Sequence, residues 1–536
     1  EAHCISDWGH DFRPDYRRIA RVLDDLPNDV PVLCTTATAN DRVVADVVAQ
    51  LGHDITVLRG TLDRESLVLA VAPQSHPAER MAWLVEFLPT TEGTGIVYCL
   101  TISDTVRLAD WLESNGVAAH AYSGETDPGL RERIEQDLLD NRVKVVVATS
   151  ALGMGFDKPD LSFVVHFQSP GSAIGYYQQV GRAGRALERS DGILLQGGED
   201  EQIQDWFIST AFPPEEQAEQ VIELLEQVGE GGLTTNQLLT EVNVRKTRLE
   251  AMLKILEVDG AVQRAGRGWR RTNESWSYDA DRVERVTAAR RSEQQAMREY
   301  GRTQGCLMEF LRRQLDDPDA KPCGRCRNCS GSPLELHPSR ELVAKAEEFL
   351  RSRELVVEPR RMWPTGLPDR KGRIPEGLQL EPGRALCIEN DGGWGALVRA
   401  GRTAAAFSQE LIAASARAIR RWNPQPPPAW ATFIPSSDGR VEDLAKRLAI
   451  ELGLELHPVV ALTRPHNPQR EMENSPQQVT NVLDAFEIRG HLPTGPVLLI
   501  DDTVDSRWTL TVVGSGLREA GSGSVVPFAL AEAAGT

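Results

Sequence analysis

Four thiols are grouped as a metal site would need them. Cys306 is followed, after sixteen residues, by Cys323-x-x-Cys326-x-x-Cys329. Four thiolates suit tetrahedral Zn²⁺, which has no redox chemistry and prefers soft ligands. Pro322, Gly324 and Asn328 mark a knuckle-like loop, and Cys306 is expected on a helix. With all four positions taken by protein, no site remains for a substrate water. The zinc is therefore expected to be structural, its loss unfolding the segment. A second group lies upstream. Gly153-Met154-Gly155-Phe156-Asp157-Lys158-Pro159 follows the apolar run Val143–Ala148, and Gln178-Gln179-Val180-Gly181-Arg182-Ala183-Gly184-Arg185 comes next. Glycines let backbone approach a phosphate. Arginines at a helix end can stabilise charge on a transferred phosphoryl group, worth ~10³–10⁵ in rate where measured. A third group closes the chain, where Gly495–Ile500 reads as a buried strand running into Asp501-Asp502-Thr503.

The elements that must position these residues are legible in outline. Gly95–Cys99, Val117–Tyr122, Val143–Ala148 and Leu161–Phe167 read as strands; Ser103–Asn115, Leu130–Asp140 and the segment from Ala173 to Val180 read as helices. Strands alternating with helices predict an α/β fold with a doubly wound parallel sheet, its ligand crevice beyond the carboxyl ends of the strands. The 536 residues exceed one core and imply several domains. Hydrophobic content of 41% and charged content of 26% are ordinary for a globular protein. No apolar run approaches the ~18 residues of a membrane helix, so no membrane partner is expected. A net charge of −19 excludes a uniformly basic coat but leaves room for a local basic groove. Eight cysteines are too sparse for a secreted disulfide scaffold. Cys4, Cys34, Cys99 and Cys387 read as buried thiols, which suits a reducing cytoplasm.

Glu1-Ala2-His3 is the tail of a DEAH box, and the chain has neither the preceding Asp nor a downstream G-x-x-x-x-G-K-[ST] loop. Together with Cys4–Tyr16, Thr36-Ala37-Thr38-Ala39, Tyr98-Cys99 and the Gly181–Arg185 motif, this resembles the RecQ family of superfamily 2 DNA helicases over residues 1–205 and 285–335. The resemblance implies an ATP-dependent 3′-to-5′ DNA helicase acting in repair or recombination, using ATP, Mg²⁺ and a structural Zn²⁺. It reads the chain as cut inside the ATP site and inactive alone. Glu1 would activate the attacking water, Arg185 would be the arginine finger with Arg182 as its partner, and Gln178 would sit at the same site. His3, Gly155 and Asp157 would bind or couple ATP. Trp8 and Phe12 offer flat faces for bases, about 1–3 kcal/mol per stacked base; His10 would relay to the ATP side and Arg13 would meet a phosphate. Leu100-Thr101-Ile102 replaces the family's polar run after Tyr-Cys, which weakens DNA contacts there.

Between Arg185 and Cys306 lie about 120 residues where the family has few. Gly231–Thr272 reads as a winged helix, with Arg245, Lys246, Arg248 and Lys254 on or near its second helix and Arg264, Arg267, Arg270 and Arg271 around the wing. Arg245, Arg248 and Arg267 are the expected duplex-DNA contacts. The order of modules differs from the family's, so no contact of that domain transfers residue by residue. The alternative is a helical hairpin with a solvated basic face.

The last unit resembles type I phosphoribosyltransferases of the ComF type, through Gly495–Thr503 and upstream Gln469, Asn481 and Ala485-Phe486. The resemblance implies that Asp501 and Asp502 contact ribose hydroxyls or Mg²⁺, and that Thr503 and Thr509 belong to a 5′-phosphate loop. Asp505 and Arg507 depart from that loop, which points to a degenerate pocket with a nucleotide or protein as its partner. The expected domains are a first-lobe remnant (1–60), a second RecA-like lobe (61–210), a winged-helix-like insertion (211–280), a zinc module (281–335), a linker (336–380) and a phosphoribosyltransferase-like domain (381–536). Single-stranded and duplex DNA are the expected partners, in a bacterial cytoplasm at the nucleoid. A non-catalytic DNA-binding adaptor, and a phosphoribosyltransferase fused to a helicase relic, remain the alternatives.

Overall fold

The computed structural model describes residues 2, 22, 27, 30–36, 38, 40–51, 55–153, 155–352, 355–367, 369–389 and 392–533. Two compact units emerge, Glu1–Phe212 with Ser277–Ala346, and Pro213–Trp276 with Glu347–Thr536. Glu1, His3, Trp8, His10, Phe12 and Arg13 lie outside the described residues.

The first unit is built on a parallel sheet. β1 (Leu67–Ser75), β2 (Thr94–Tyr98), β3 (Ala119–Tyr122), β4 (Val145–Ala148), β5 (Leu161–His166) and β6 (Ser190–Gly197) pair in the order β1-β6-β5-β2-β4-β3. Every pairing is parallel. Helices Pro77–Phe87, Ile102–Ser114, Pro128–Leu139 and Ala173–Val180 make the crossovers. β2 and β4 are buried at every position. They therefore read as unbroken apolar runs, the pattern of strands covered on both faces. Asp127, Thr101 and Ser172 cap three of these helices through their side chains, each accepting a backbone N–H of the first turn. The predicted strands and helices appear with ends shifted by a few residues. β1, β6 and the helix Pro77–Phe87 were not anticipated.

The second unit begins with helices Glu215–Val228, Thr235–Glu241 and Lys246–Val258 and the antiparallel hairpin β7 (Val262–Ala265) and β8 (Gly268–Arg271). Leu233 bridges Trp269 to extend the wing. Gly232 allows this approach: a Cβ there would lie 2.6 Å from the Trp269 carbonyl oxygen. The two-residue turn Gly266-Arg267 places Gly266 at φ +58°, a left-handed conformation that glycine adopts without strain. Two helices and a two-stranded hairpin thus occupy the stretch where the winged helix is expected.

The chain then returns to the first unit with helices Ala280–Arg302 and Leu307–Gln314 and the cysteine loop. Residues 336–380, expected as a linker, hold the helix Arg340–Ser352 and β9 (Leu355–Val357). Trp363, Leu367 and Ile374 of that stretch are buried in a cluster with Val479 and Trp508. Its apolar residues are spaced among Pro, Gly and Arg, so local composition reads as linker while the side chains are core.

The C-terminal sheet contains β10 (Gly383–Ile388), β11 (Trp430–Phe433), β12 (Glu455–Leu456), β15 (Val497–Val504) and β16 (Val525–Glu532), with β13 (Val460–Leu462) and β14 (Phe486–Ile488) forming a separate antiparallel pair. Its order is β12-β11-β15-β16-β10-β9. All pairings are parallel except β9 with β10. Among the described residues, no helix is long and apolar enough to cross a membrane.

Candidate functional site

The two glycine-bearing loops of the first unit come together beyond the sheet. Arg185 Nη1 meets Asp157 Oδ1 at 2.6 Å, and Arg182 Nη1 donates to the Phe156 carbonyl at 2.9 Å. The predicted Gly155, Asp157, Arg182 and Arg185 are therefore neighbours. Gly155 has φ +87°. Gly153 permits close packing, since a Cβ would lie 2.6 Å from the Ser150 carbonyl oxygen. Arg182 is anchored and half-buried, whereas the Arg185–Asp157 pair is solvent-exposed. An exposed pair of this kind contributes ~0–1 kcal/mol, so an incoming anion can displace the carboxylate. Gln178 donates through Nε2 to the Thr38 hydroxyl, joining the Thr-Ala-Thr-Ala segment to the helix Ala173–Val180. Burial, opposed by the nearby Arg182, pushes the Tyr98 phenol up to about 12. Tyr98 stays neutral and donates to the Leu152 carbonyl at 2.7 Å.

The carboxyl ends of β2, β4 and β5 also line a cavity of about 380 Å³, bounded by Tyr98, Leu100, Ser150, His166 and Gln168. It lies where an α/β sheet places its crevice. A polar network stiffens this rim. Gln168 accepts from the Leu100 amide at 2.9 Å and donates to Asp104 at 3.0 Å. Arg80, fully buried, donates to the Phe167 carbonyl and pairs with Glu199. Asp200 accepts from the amides of Ser169 and Gly197 at 2.8 and 3.0 Å, and burial raises its carboxyl to about 7. Burial also lowers His166 to about 4, so the ring is neutral beside Gln179, 2.7 Å away. Sequence reasoning missed Arg80, Glu199, Asp200 and His166. Arg80 meets Glu199 across 119 positions, Asp200 meets Ser169 across 31 and His166 meets Gln179 across 13, and only an Arg and a His amid apolar neighbours signalled them.

The four cysteines converge. The Sγ atoms of Cys306, Cys323, Cys326 and Cys329 all lie within 4.8 Å of one another. Cys306 and Cys326 are 3.9 Å apart, close to the ~3.8 Å edge of a tetrahedron with Zn–S of ~2.3 Å. The donor set fits Zn²⁺. Amides also point at the sulfurs: Cys323 N–H to Cys306 at 3.2 Å, Cys326 N–H to Cys323 at 3.3 Å and Leu307 N–H to Cys326 at 3.4 Å. Cys306 is not within a helix, as expected, but caps one: its Sγ accepts from the Glu309 amide at the start of Leu307–Gln314. A helix N-terminus favours thiolate. The knuckle docks on the sheet, Arg327 donating its amide to the Leu69 carbonyl of β1 at 2.9 Å. The metal would hold four ligands with none open, a structural role.

The winged-helix arginines divide. Arg267 is exposed at the turn of the wing. Arg248, expected on DNA, instead pairs with Glu473 at 3.2 Å, the two side chains 15% and 23% exposed. The Arg245 amide also donates to Glu473 at 3.2 Å. Around this pair a clasp closes between the segment Thr240–Arg248 and the start of the helix Ser475–Val482. Asn243 donates to the Glu471 carbonyl at 2.7 Å, and buried Asn474 donates to the carbonyls of Val242 and Val244 at 2.8 and 3.1 Å. Half of the second helix's basic face is covered by a domain more than 220 residues downstream, and the sequence gives no local trace of it. Arg264 lies over Trp269 at 3.9 Å, and Arg271 pairs with Glu226 at 3.1 Å. These two serve the wing's own packing.

Asp501 and Asp502 lie within β15, which continues to Val504 instead of stopping at the acid pair. Burial first, and the adjacent Asp502 second, raise Asp501 well above the carboxylate range. Asp502 is engaged by Arg440 Nε at 2.7 Å and lies 3.6 Å from Arg402 Nε. Thr503 and Thr509 are half-buried near the loop. Arg507 has φ +69°, so the backbone there has the left-handed form that a glycine would hold, with an arginine in its place. Asn481 donates to Gln469 at 2.8 Å, so these two singled-out residues meet.

Residues 79–187 match the helicase conserved C-terminal domain. Over 233 residues the chain is 36% identical to the probable ATP-dependent DNA helicase RecS of Bacillus subtilis, covering 43% of this chain and 47% of that protein. It is 36% identical to the ATP-dependent DNA helicase RecQ of Haemophilus influenzae over 233 residues, 43% of this chain and 37% of that one. It is 38% identical to the ATP-dependent DNA helicase Q-like 4B of Arabidopsis thaliana over 197 residues, 36% and 17% of the two chains. The chain spans about half the length, or less, of these curated relatives. Its first unit therefore contains a segment matching the helicase conserved C-terminal domain, and the wider stretch is similar to RecS and RecQ proteins.

Proposed function

We propose that this chain supplies the second motor lobe and the appended modules of an ATP-dependent DNA helicase that moves 3′ to 5′ in the bacterial cytoplasm, at the nucleoid. The observation that carries this reading is the meeting of the Gly153–Asp157 loop with Arg182 and Arg185 beyond a parallel sheet, in a segment similar to RecQ proteins. ATP with Mg²⁺ would bind against that edge. When nucleotide arrives, its phosphates replace Asp157 as the partner of Arg185. Arg182, tied to the Phe156 carbonyl, keeps the loop in register. Gln178, bonded to Thr38, transmits closure to the Thr-Ala-Thr-Ala segment. The chain alone, without a phosphate-cradling loop, would hydrolyse no ATP. Zn²⁺ on Cys306, Cys323, Cys326 and Cys329 would brace β1. The wing, through Arg267, would touch duplex DNA. The C-terminal domain is read as a phosphoribosyltransferase-like fold whose acid pair no longer turns over substrate, Asp502 being held by Arg440.

DNA-stimulated ATPase and strand-separation assays on the complete open reading frame, with Arg185→Ala beside wild type, test the motor reading. Retained ATPase in Arg185→Ala would refute the assignment of the finger. No DNA-stimulated hydrolysis in the complete protein would leave the adaptor.

A further inference from the structure

Ala183 and Gly184 are the two residues between Arg182 and Arg185, and one stretch of chain holds both of their carbonyls. Residues 62–66 lead into β1. Arg64 Nη2 donates to the Ala183 carbonyl at 3.3 Å, and Ser66 Oγ donates to the Gly184 carbonyl at 2.7 Å. The Ser66 carbonyl accepts the Ser190 amide at 2.8 Å, at the start of β6. Tyr177, on the helix Ala173–Val180, donates its hydroxyl to the Leu62 carbonyl. The fit is close: a Cβ on Gly184 would lie 2.8 Å from Ser66 Oγ. A loop matched this tightly to a neighbour takes its shape from that neighbour.

The cysteine loop grips the same stretch. Arg325 stands between Cys323 and Cys326. It pairs with Asp63, donates through Nη2 to the Arg64 carbonyl at 2.8 Å, and donates through Nη1 to the Cys323 carbonyl at 3.3 Å. The Arg325 and Asp63 side chains are 23% and 27% exposed. The pair is therefore shielded from much of the screening that makes surface pairs weak. One guanidinium thus ties the backbone of a metal ligand to the backbone of Arg64. The guanidinium of Arg64 in turn reaches the arginine loop. The Arg185–Asp157 pair is exposed, so it restrains the Arg185 side chain little, and the restraint on that residue comes through its backbone.

We propose that Arg325 and Arg64 are positioning residues for the arginine pair. Arg325 passes the shape of the folded cysteine loop to residues 63 and 64. Arg64, with Ser66, sets the backbone from which Arg182 and Arg185 reach. A group that must meet developing charge has to be held to within about 0.5 Å of its working place, and this relay supplies that constraint from a module outside the sheet. The cysteine loop then has a second duty besides bracing β1. This role rests on the reading of Arg182 and Arg185 as groups that face nucleotide; the relay of contacts does not.

Hydrogen exchange in the full chain reads the loop directly. The Gly184 and Ala186 amides donate to the Leu161 and Pro159 carbonyls, each at 2.9 Å. Exchange at both should quicken about tenfold in Arg64→Ala, in Ser66→Ala and in Arg325→Ala, with zinc retained. ATP hydrolysis by the complete protein gives the second readout. In Arg64→Ala and Arg325→Ala, kcat should fall about tenfold with KM for ATP within about twofold of wild type. Arg64→Lys keeps a donor for the Ala183 carbonyl and should recover most of the loss. Unchanged exchange in both Arg64→Ala and Ser66→Ala overturns the relay. Zinc lost from Arg325→Ala overturns the part given to Arg325, which would then be a support of the metal site itself. Faster exchange with undiminished turnover overturns the positioning role. If the wild-type complete protein hydrolyses no ATP while exchange responds as expected, the motor reading falls and the relay stands.

Discussion

Arg248 separates a structural ion pair from a DNA contact, and the difference is measurable. Its Nη1 lies 3.2 and 3.3 Å from the two Glu473 oxygens. At an effective dielectric of ~20 the Coulomb attraction at that distance is about 5 kcal/mol. Desolvating two ions that are mostly buried cancels much of it. A coupling of about 1–2 kcal/mol should remain. Glu473→Ala should cost more than Arg248→Ala, because it also orphans the Arg245 amide. The assay is a double-mutant cycle on urea unfolding of the full chain, with hydrogen exchange at the amides of Val242–Leu249 as the local readout. Exchange there should accelerate in both single variants. Anisotropy with a labelled duplex bearing a single-stranded tail should show DNA affinity in Arg248→Ala within about threefold of wild type. A coupling under ~0.3 kcal/mol, together with a tenfold loss of DNA affinity, would refute the structural assignment and return Arg248 to the DNA face.

Three further outcomes are expected. One zinc per chain should be found by metal analysis, and Cys326→Ser should lose it, lower the unfolding temperature and speed exchange at Leu69–Val71, where the knuckle docks; chelation that leaves unfolding unchanged would remove zinc from the account. In the complete protein, Arg185→Ala should lower the turnover of DNA-stimulated ATP hydrolysis by ~10³ or more, with Arg185→Lys recovering little because a point charge lacks the fork. Asp200 has a folded pKa of about 7 against 3.8 ordinarily, so its contribution is fully present below the unfolded value and is lost as pH rises through 7. Asp200→Asn keeps an acceptor for the Ser169 and Gly197 amides, and should stabilise the chain by up to about 4 kcal/mol at pH 8 but hardly at pH 3; equal effects at both pH values would contradict the burial argument.

Strands covered on both faces are legible in the sequence. β2, β4 and β5 announced themselves because strands buried on both faces need unbroken apolar runs. β1 and β6 did not: Pro73 interrupts one, and Asp191 with Gly192 opens the other. The stretch 336–380 misled for the same reason, its buried Trp363 and Ile374 being scattered among linker-like residues.

Residue type and local spacing alone made legible the parallel α/β lobe, the Gly-Arg loop, the cluster of four cysteines and the acid pair, because each depends on chemistry carried within a few consecutive residues. Tertiary structure decided which charges are spent. Arg185 rests on Asp157, Arg248 on Glu473 and Asp502 on Arg440. Those pairings join residues up to 225 positions apart. Electrostatic partnership is a property of distance in space, and no periodicity along a chain records it.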